Sequence, residues 1–147
     1  VTGGFAVEDV AAFFTGTWGV ARGIVDDAGD RLGGFEGEAV FAAEPDGSLV
    51  YRERGELVLG AHRGSAQRTL RYRVTGPGRA SVFFDYGDFF HDLDLRSGRW
   101  QVEHPCRADL YRGEFVVSGP DAWWQQWRVA GPAKAHTLTT DFVRVAG

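Results

Sequence analysis

The 147-residue chain has no methionine and a single cysteine, Cys106. One thiol excludes an intramolecular disulfide. No apolar run approaches the ~20 residues of a membrane-spanning helix, and no stretch reads as a secretory signal, so a cytoplasmic protein is expected. A basic excess is missing as well. Sixteen Lys and Arg against twenty Asp and Glu leave a net charge of -4 at pH 7. That balance argues against nucleic acid, which wants a basic face, and against an anionic membrane surface. Internal repeats, low-complexity segments and linkers are absent too, and the length fits one domain spanning 1–147.

What the chain has in abundance is aromatic residues, 14% of the total and mostly Phe and Trp. Large rigid side chains suit a curved sheet or a shaped cavity. Richness in Ala, Gly and Arg suggests a bacterial source with a GC-rich genome. The only helical pattern is Val7 to Phe14, about two turns. Glu8 and Asp9 fall in its first turn, Val10, Phe13 and Phe14 form an apolar face, and Gly16 stops it. From Trp18 onward the pattern alternates, with turns at Asp26–Asp30, Pro45–Gly47, Gly76–Gly78, Tyr86–Asp88, Arg96–Gly98 and Ser118–Asp121.

This rhythm predicts nine or ten strands, near 17–26, 34–43, 48–59, 67–75, 80–85, 88–95, 99–105, 108–117, 124–130 and 136–145. Sequential hairpins without crossover helices imply an all-β, antiparallel up-and-down barrel or sandwich. Gly60 to Ala66 reads as a mobile loop. Asp121 could instead N-cap a helix through Trp123, Trp124 and Trp127, but Trp127 and Val129 alternate and Gly131-Pro132 ends the run, which favours a strand.

Gly16-Thr17-Trp18 at the start of the first strand, with Arg144 at the end of the last, resembles the lipocalin signature. The resemblance implies that Trp18 plugs the closed end of a calycin-like barrel while Arg144 stacks on its indole. More of the chain is similar to a bacterial family of domains of unknown function with calycin-like barrels. The matching stretches are Gly16–Arg22, Phe35–Gly37, Tyr51–Gly55, Arg71-Tyr72, Phe89–Leu93, His104–Tyr111 and Gly131–Lys134. That similarity implies the fold and no particular reaction, so no catalytic residue is carried over from it.

In a barrel, residues two apart share a face. If Trp18 points inward, so do Val20, Arg22 and Ile24. Charged neighbours kept in water then send Phe35, Gly37, Ala39 and Phe41 inward, followed by Leu49, Tyr51, Glu53 and Gly55. Leu70, Tyr72 and Val74 go inward, as do Phe89, His91, Leu93 and Leu95. Trp100, Val102 and His104 share a face, and Asp109, Tyr111, Gly113, Phe115 and Val117 another. Leu138, Thr140, Phe142 and Arg144 complete the ring. Pro105 is expected to bulge its strand.

The interior so drawn holds Arg22, Tyr51, Glu53, Tyr72, His91, His104, Asp109 and Tyr111. An unpaired buried polar group costs ~1–3 kcal/mol and a charge more, so these groups either satisfy one another or line a wet cavity. Arg22 and Glu53 read equally well as a structural bridge or as a carboxylate clamp with its orienting partner. The leading expectation is a cavity that binds a small, partly polar, anionic or aromatic organic molecule, lined by those eight residues. A second is a cofactor-independent isomerase, cyclase or lyase with His91, His104 and Glu53 or Asp109 as acid and base. A third is an interaction module with a self-satisfied polar core.

No cofactor and no metal are expected, because the spacing of His91, His104, Cys106 and Asp109 matches no compact zinc motif. Haem on either histidine and a Cys106 nucleophile rank lower still. Lys134 reads as a turn residue or as an anion-attracting residue at the barrel mouth. An exposed Trp123 would signal a homodimer or partner surface.

Overall fold

The computed structural model describes residues 4–132 and 134–146. Ala133, in the Gly131–Lys134 turn expected from the sequence, lies outside them. One short helix, α1 (Val10–Phe14), precedes ten strands: β1 (Gly16–Asp26), β2 (Arg31–Ala43), β3 (Leu49–Leu59), β4 (His62–Gly76), β5 (Arg79–Phe84), β6 (Phe89–Asp94), β7 (Arg99–Cys106), β8 (Asp109–Gly119), β9 (Ala122–Gly131) and β10 (Lys134–Arg144). All ten pair antiparallel in the order β6-β5-β4-β3-β2-β1-β10-β9-β8-β7. This is an all-β, antiparallel up-and-down barrel, one of the two architectures the hairpin rhythm allows and the lipocalin-like one that the resemblance implies. It is nearly closed: among the described residues no backbone ladder joins β6 to β7. Side chains bridge that seam, where Trp100 Nε1 donates to the Asp92 carbonyl at 2.8 Å.

Several expectations are corrected. The helix is shorter than Val7–Phe14, and Asp9 caps it from outside the first turn, accepting from the Ala12 amide at 2.9 Å. The segment Gly60 to Ala66 is not a loop. Leu59 pairs with His62 across a two-residue turn in which Gly60 takes φ +61°, a conformation that costs a glycine little. Pro105 stays in register opposite Leu110 without a bulge, as suits an edge strand. Phe89 is 52% exposed, not inward, because a register shift between Val82 and Phe83 turns Phe90 toward the interior instead. Val74 is exposed beside the shift between Val74 and Gly76.

Gly37 faces Gly55 across β2 and β3. A Cβ on Gly37 would fall 2.1 Å from the Arg54 carbonyl oxygen and one on Gly55 2.2 Å from that of Glu36, so neither position admits a side chain without moving backbone.

The helix closes one end. Val10, Phe13 and Phe14 are buried with Trp18, Phe41, Trp123 and Phe142. Trp18 Nε1 donates to the Phe14 carbonyl at 2.9 Å, tying the plug to β1. Trp123 lies parallel to Phe142 at 3.7 Å between ring centroids, so it belongs to the core and offers no partner surface. The Arg144 guanidinium sits 4.3 Å over the Trp18 ring. It donates to the carbonyls of Phe13 and Pro120, each at 2.8 Å, and to Asp121 Oδ1 at 2.9 Å. One side chain therefore stitches the helix exit, the β8–β9 turn and the plug together. Arg144→Ala is expected to lower the free energy of unfolding by about 2 kcal/mol, the sum of a cation–π contact and hydrogen bonds to exposed carbonyls. Urea denaturation followed by tryptophan fluorescence measures it.

A polar cavity at the open end of the barrel

Above the aromatic plug the interior turns polar. Arg22, inward on β1, meets Glu53, inward on β3, in a forked pair: Nη1 to Oε2 at 2.8 Å and Nη2 to Oε1 at 2.9 Å. Arg22 Nε also donates to Thr140 Oγ1 on β10 at 2.9 Å. The Tyr51 hydroxyl donates to Glu53 Oε1 in a short hydrogen bond. The side chains of Arg22 and Glu53 are only 9% and 5% exposed. Burial by itself would raise the Glu53 carboxyl, but the Arg22 hydrogen bonds, the nearby charge of Arg68 and the Tyr51 hydroxyl together hold it at about 2. Burial and then the Glu53 charge push Tyr51 well above its usual range, so it remains a donor.

His91, on β6, is 3% exposed and packs against Phe90, Phe115 and Trp127. Burial pulls it down to about 4. The neutral ring's Nδ1–H therefore donates to the Asp92 carbonyl at 2.8 Å, the same oxygen that Trp100 caps.

Beyond the Arg22–Glu53 pair lies a cavity of about 190 Å³ lined by Arg22, Arg68, Phe90, Tyr111, Gln125, Trp127, Val129, His136, Leu138 and Thr140. Trp127 stacks on Phe90 at 5.1 Å, and Phe90 on Phe84 at 4.4 Å. Gln125 is only 6% exposed, and among the described residues its carboxamide has no hydrogen-bond partner. Lys134 closes the rim of β8 and β10 against Asp109 at 3.2 Å. No three His, Cys, Asp or Glu side chains gather as a metal site among the described residues.

A family model matches residues 14–144, nearly the whole chain. The chain belongs to the DUF6314 family of unknown function. No curated protein matches it. Among solved structures, an S-type phycobiliprotein lyase from Guillardia theta superposes with a TM-score of 0.67 at 10% identity, covering 97% of this chain and 94% of that one. The protein EF1p2_mFAP2b, solved with DFHBI bound, gives 0.50 at 14% identity over 92% and 96% of the two chains. A DUF3598 protein of unknown function from Nostoc punctiforme gives 0.51 at 9% identity over 95% of this chain and 50% of that one. At these identities the likeness is one of fold.

In this DUF6314 barrel the eight residues expected to line a site do not share one surface. Arg22 and Tyr111 border the cavity. Glu53 and Tyr51 stand behind Arg22 as its partners. Tyr72 packs in the plug layer against Phe14 and Phe41, and His91 against Phe115, both as core. His104 sits at the seam, 5.3 Å from the Phe90 ring. Asp109 turns to the rim and Lys134 instead of the interior, and Cys106 is exposed. Sequence parity missed Arg68, Phe90, Gln125 and His136. Arg68 and Gln125 were accessible to the same parity rule, since Arg68 shares a face with Leu70 and Tyr72, and Gln125 with Trp127. Phe90 was not, because a register shift reversed it.

Two outcomes follow for stability. Glu53→Ala strands a buried guanidinium and is expected to cost about 3–5 kcal/mol in urea unfolding. His91 binds its proton near 6.5 in the unfolded chain and at about 4 in the fold, so acid favours unfolding. The stabilisation is whole above pH 6.5 and falls by about 3 kcal/mol as pH drops to 4. His91→Phe, whose Asp92 carbonyl keeps the Trp100 donor, should flatten that stretch of the stability–pH curve. The acid loss from Glu53, between pH 4.5 and about 2, should remain.

Proposed function

We propose that this barrel binds a small, partly polar organic molecule in its open-end cavity. The observation that carries the reading is Gln125, buried to 6% exposure, facing the cavity and without a protein partner among the described residues. Its amide atoms open onto the cavity, where a ligand or water satisfies them. The cavity volume of about 190 Å³ lies below the ~300–1,000 Å³ of sites for drug-sized molecules, which suits an occupant of one or two rings. The fold neighbours support the same reading, since they include a phycobiliprotein lyase and a barrel solved with DFHBI bound.

Acid–base catalysis by His91, His104 and Glu53 or Asp109 has less support. Glu53 is ionised and its oxygens are occupied, Asp109 is paired at the rim, and His91 is packed in the core. A self-satisfied polar core is disfavoured by the cavity itself.

Native mass spectrometry of freshly purified protein, compared with its denatured mass, is expected to reveal a releasable small molecule. Calorimetric titration with small aromatic and polar probes should show binding to the emptied barrel. Leu138→Trp fills the cavity and should abolish that binding with the circular dichroism spectrum unchanged. Undiminished binding by this variant would place the site elsewhere.

A further inference from the structure

The charge on the cavity wall does not balance. Arg22 and Arg68 bring two cations, and Glu53 is the one carboxylate within reach of either among the described residues. Glu53 is already occupied by the forked Arg22 pair and the Tyr51 hydroxyl. Arg68 lies 3.7 Å from Glu53 Oε1, beyond hydrogen-bond length, and donates to no group among the described residues. The Lys134–Asp109 pair at the rim is neutral in sum. Arg68 therefore lines the cavity with its planar fork of donors unspent, in a geometry that matches a carboxylate.

Gln125, 6% exposed and without a protein partner among the described residues, turns its carboxamide to the same space. The remaining wall is aromatic: Phe90 is stacked between Phe84 and Trp127, so it meets the cavity by its edge, and Trp127 borders the same space.

We infer that the ligand is a planar aromatic carboxylate of one or two rings, its anionic group held by Arg68, its ring against Trp127 and Phe90, and Gln125 hydrogen-bonded to a polar atom of it. This rests on the cavity-binding reading and narrows it to a chemical class. Charge and planarity contribute separately. An anion meets Arg68, whose nearest carboxylate is already forked to Arg22, without displacing a protein hydrogen bond, because the Arg22–Glu53 pair stays intact. A flat ring gains edge-to-face contact with these aromatics that a puckered one of the same size does not.

The test compares three probes of nearly equal size, 2-naphthoate, 2-naphthamide and decahydro-2-naphthoate, titrated calorimetrically into the full chain. The acid is expected to bind at least tenfold more tightly than either the neutral amide or the saturated acid. Raising ionic strength should weaken the acid and leave the amide unchanged. Arg68→Gln should erase the acid's advantage over the amide. Because Arg68 is 44% exposed and Glu53 keeps its Arg22 partner, the variant should fold, which a thermal melt verifies.

Equal binding of acid and amide by the wild-type protein, or no salt dependence, would overturn the anion assignment while cavity binding stands. Equal binding of the aromatic and saturated acids would overturn the ring assignment. Failure of all three probes to bind at millimolar concentration, with no small molecule released from the fresh protein, would remove the cavity-binding reading along with the inference.

Discussion

The Arg22–Glu53 pair is the constraint on which the interior depends. It joins β1 to β3 over the intervening β2, and through Thr140 it reaches β10. Below it the barrel is an aromatic solid, with Trp18, Trp123, Phe142, Phe41 and Phe14 packed against the helix. Above it the side chains stop filling the space. A buried ion pair adds little net stability compared with apolar packing, since desolvation offsets most of the attraction. Its value here is positional. It sets a charged floor at which the apolar plug ends and the cavity begins, and it takes up the one carboxylate near Arg68 among the described residues, so Arg68 sets the sign of the space above.

The plug carries the stability that the upper half gives up. Arg144 and Trp18 close it from the chain termini inward, one strand at each side of the β1–β10 pairing, with Trp18 opposite Arg144 in register. The contact joins the first strand to the last, so the barrel closes its sequence-distant ends through the same residues that seal its base. The remaining gap lies at the β6–β7 seam, where side chains substitute for a backbone ladder. Phe90 stands on that seam, edge-on to His104 and stacked against Trp127. The least tied edge of the sheet and the aromatic wall of the cavity are thus one structure.

The sequence was legible wherever side-chain period alone decides. Turn chemistry at Pro45–Gly47 or Arg96–Gly98 marks strand ends within a few residues, and keeping charges in water oriented Glu53, Tyr51 and His91 correctly. Parity fails where a strand slips. Between Val82 and Phe83 the pairing shifts by one, and Phe90 takes the inward place that alternation assigns to Phe89. No local residue announces that shift, because both candidates are phenylalanine. The apparent loop from Gly60 to Ala66 failed for a different reason. Its small and polar residues read as unstructured, yet register with β3 draws all but Gly60 and Ala61 into β4. Arg68 lay just inside the strand start read from sequence and shares a face with Leu70 and Tyr72; the general expectation that arginines face water makes its place an exception.

That expectation and its exception expose the logic of the site. An arginine faces inward in a barrel when something inside offsets its desolvation. For Arg22 the offset is Glu53, complete and internal. For Arg68 the nearest carboxylate is the same Glu53, already taken, so the offset is left to solvent at the mouth or to an occupant of the cavity. Exposure of 44% keeps the empty state tolerable, and it is low enough that a carboxylate arriving from solution exchanges weak hydration for a directed pair. The same reasoning disfavours acid–base chemistry. A catalytic carboxylate must change its protonation state during a reaction, and Glu53 is held ionised by every neighbour it has. The interior is arranged to keep its charges fixed, which suits the proposed binding of an anion better than proton transfer.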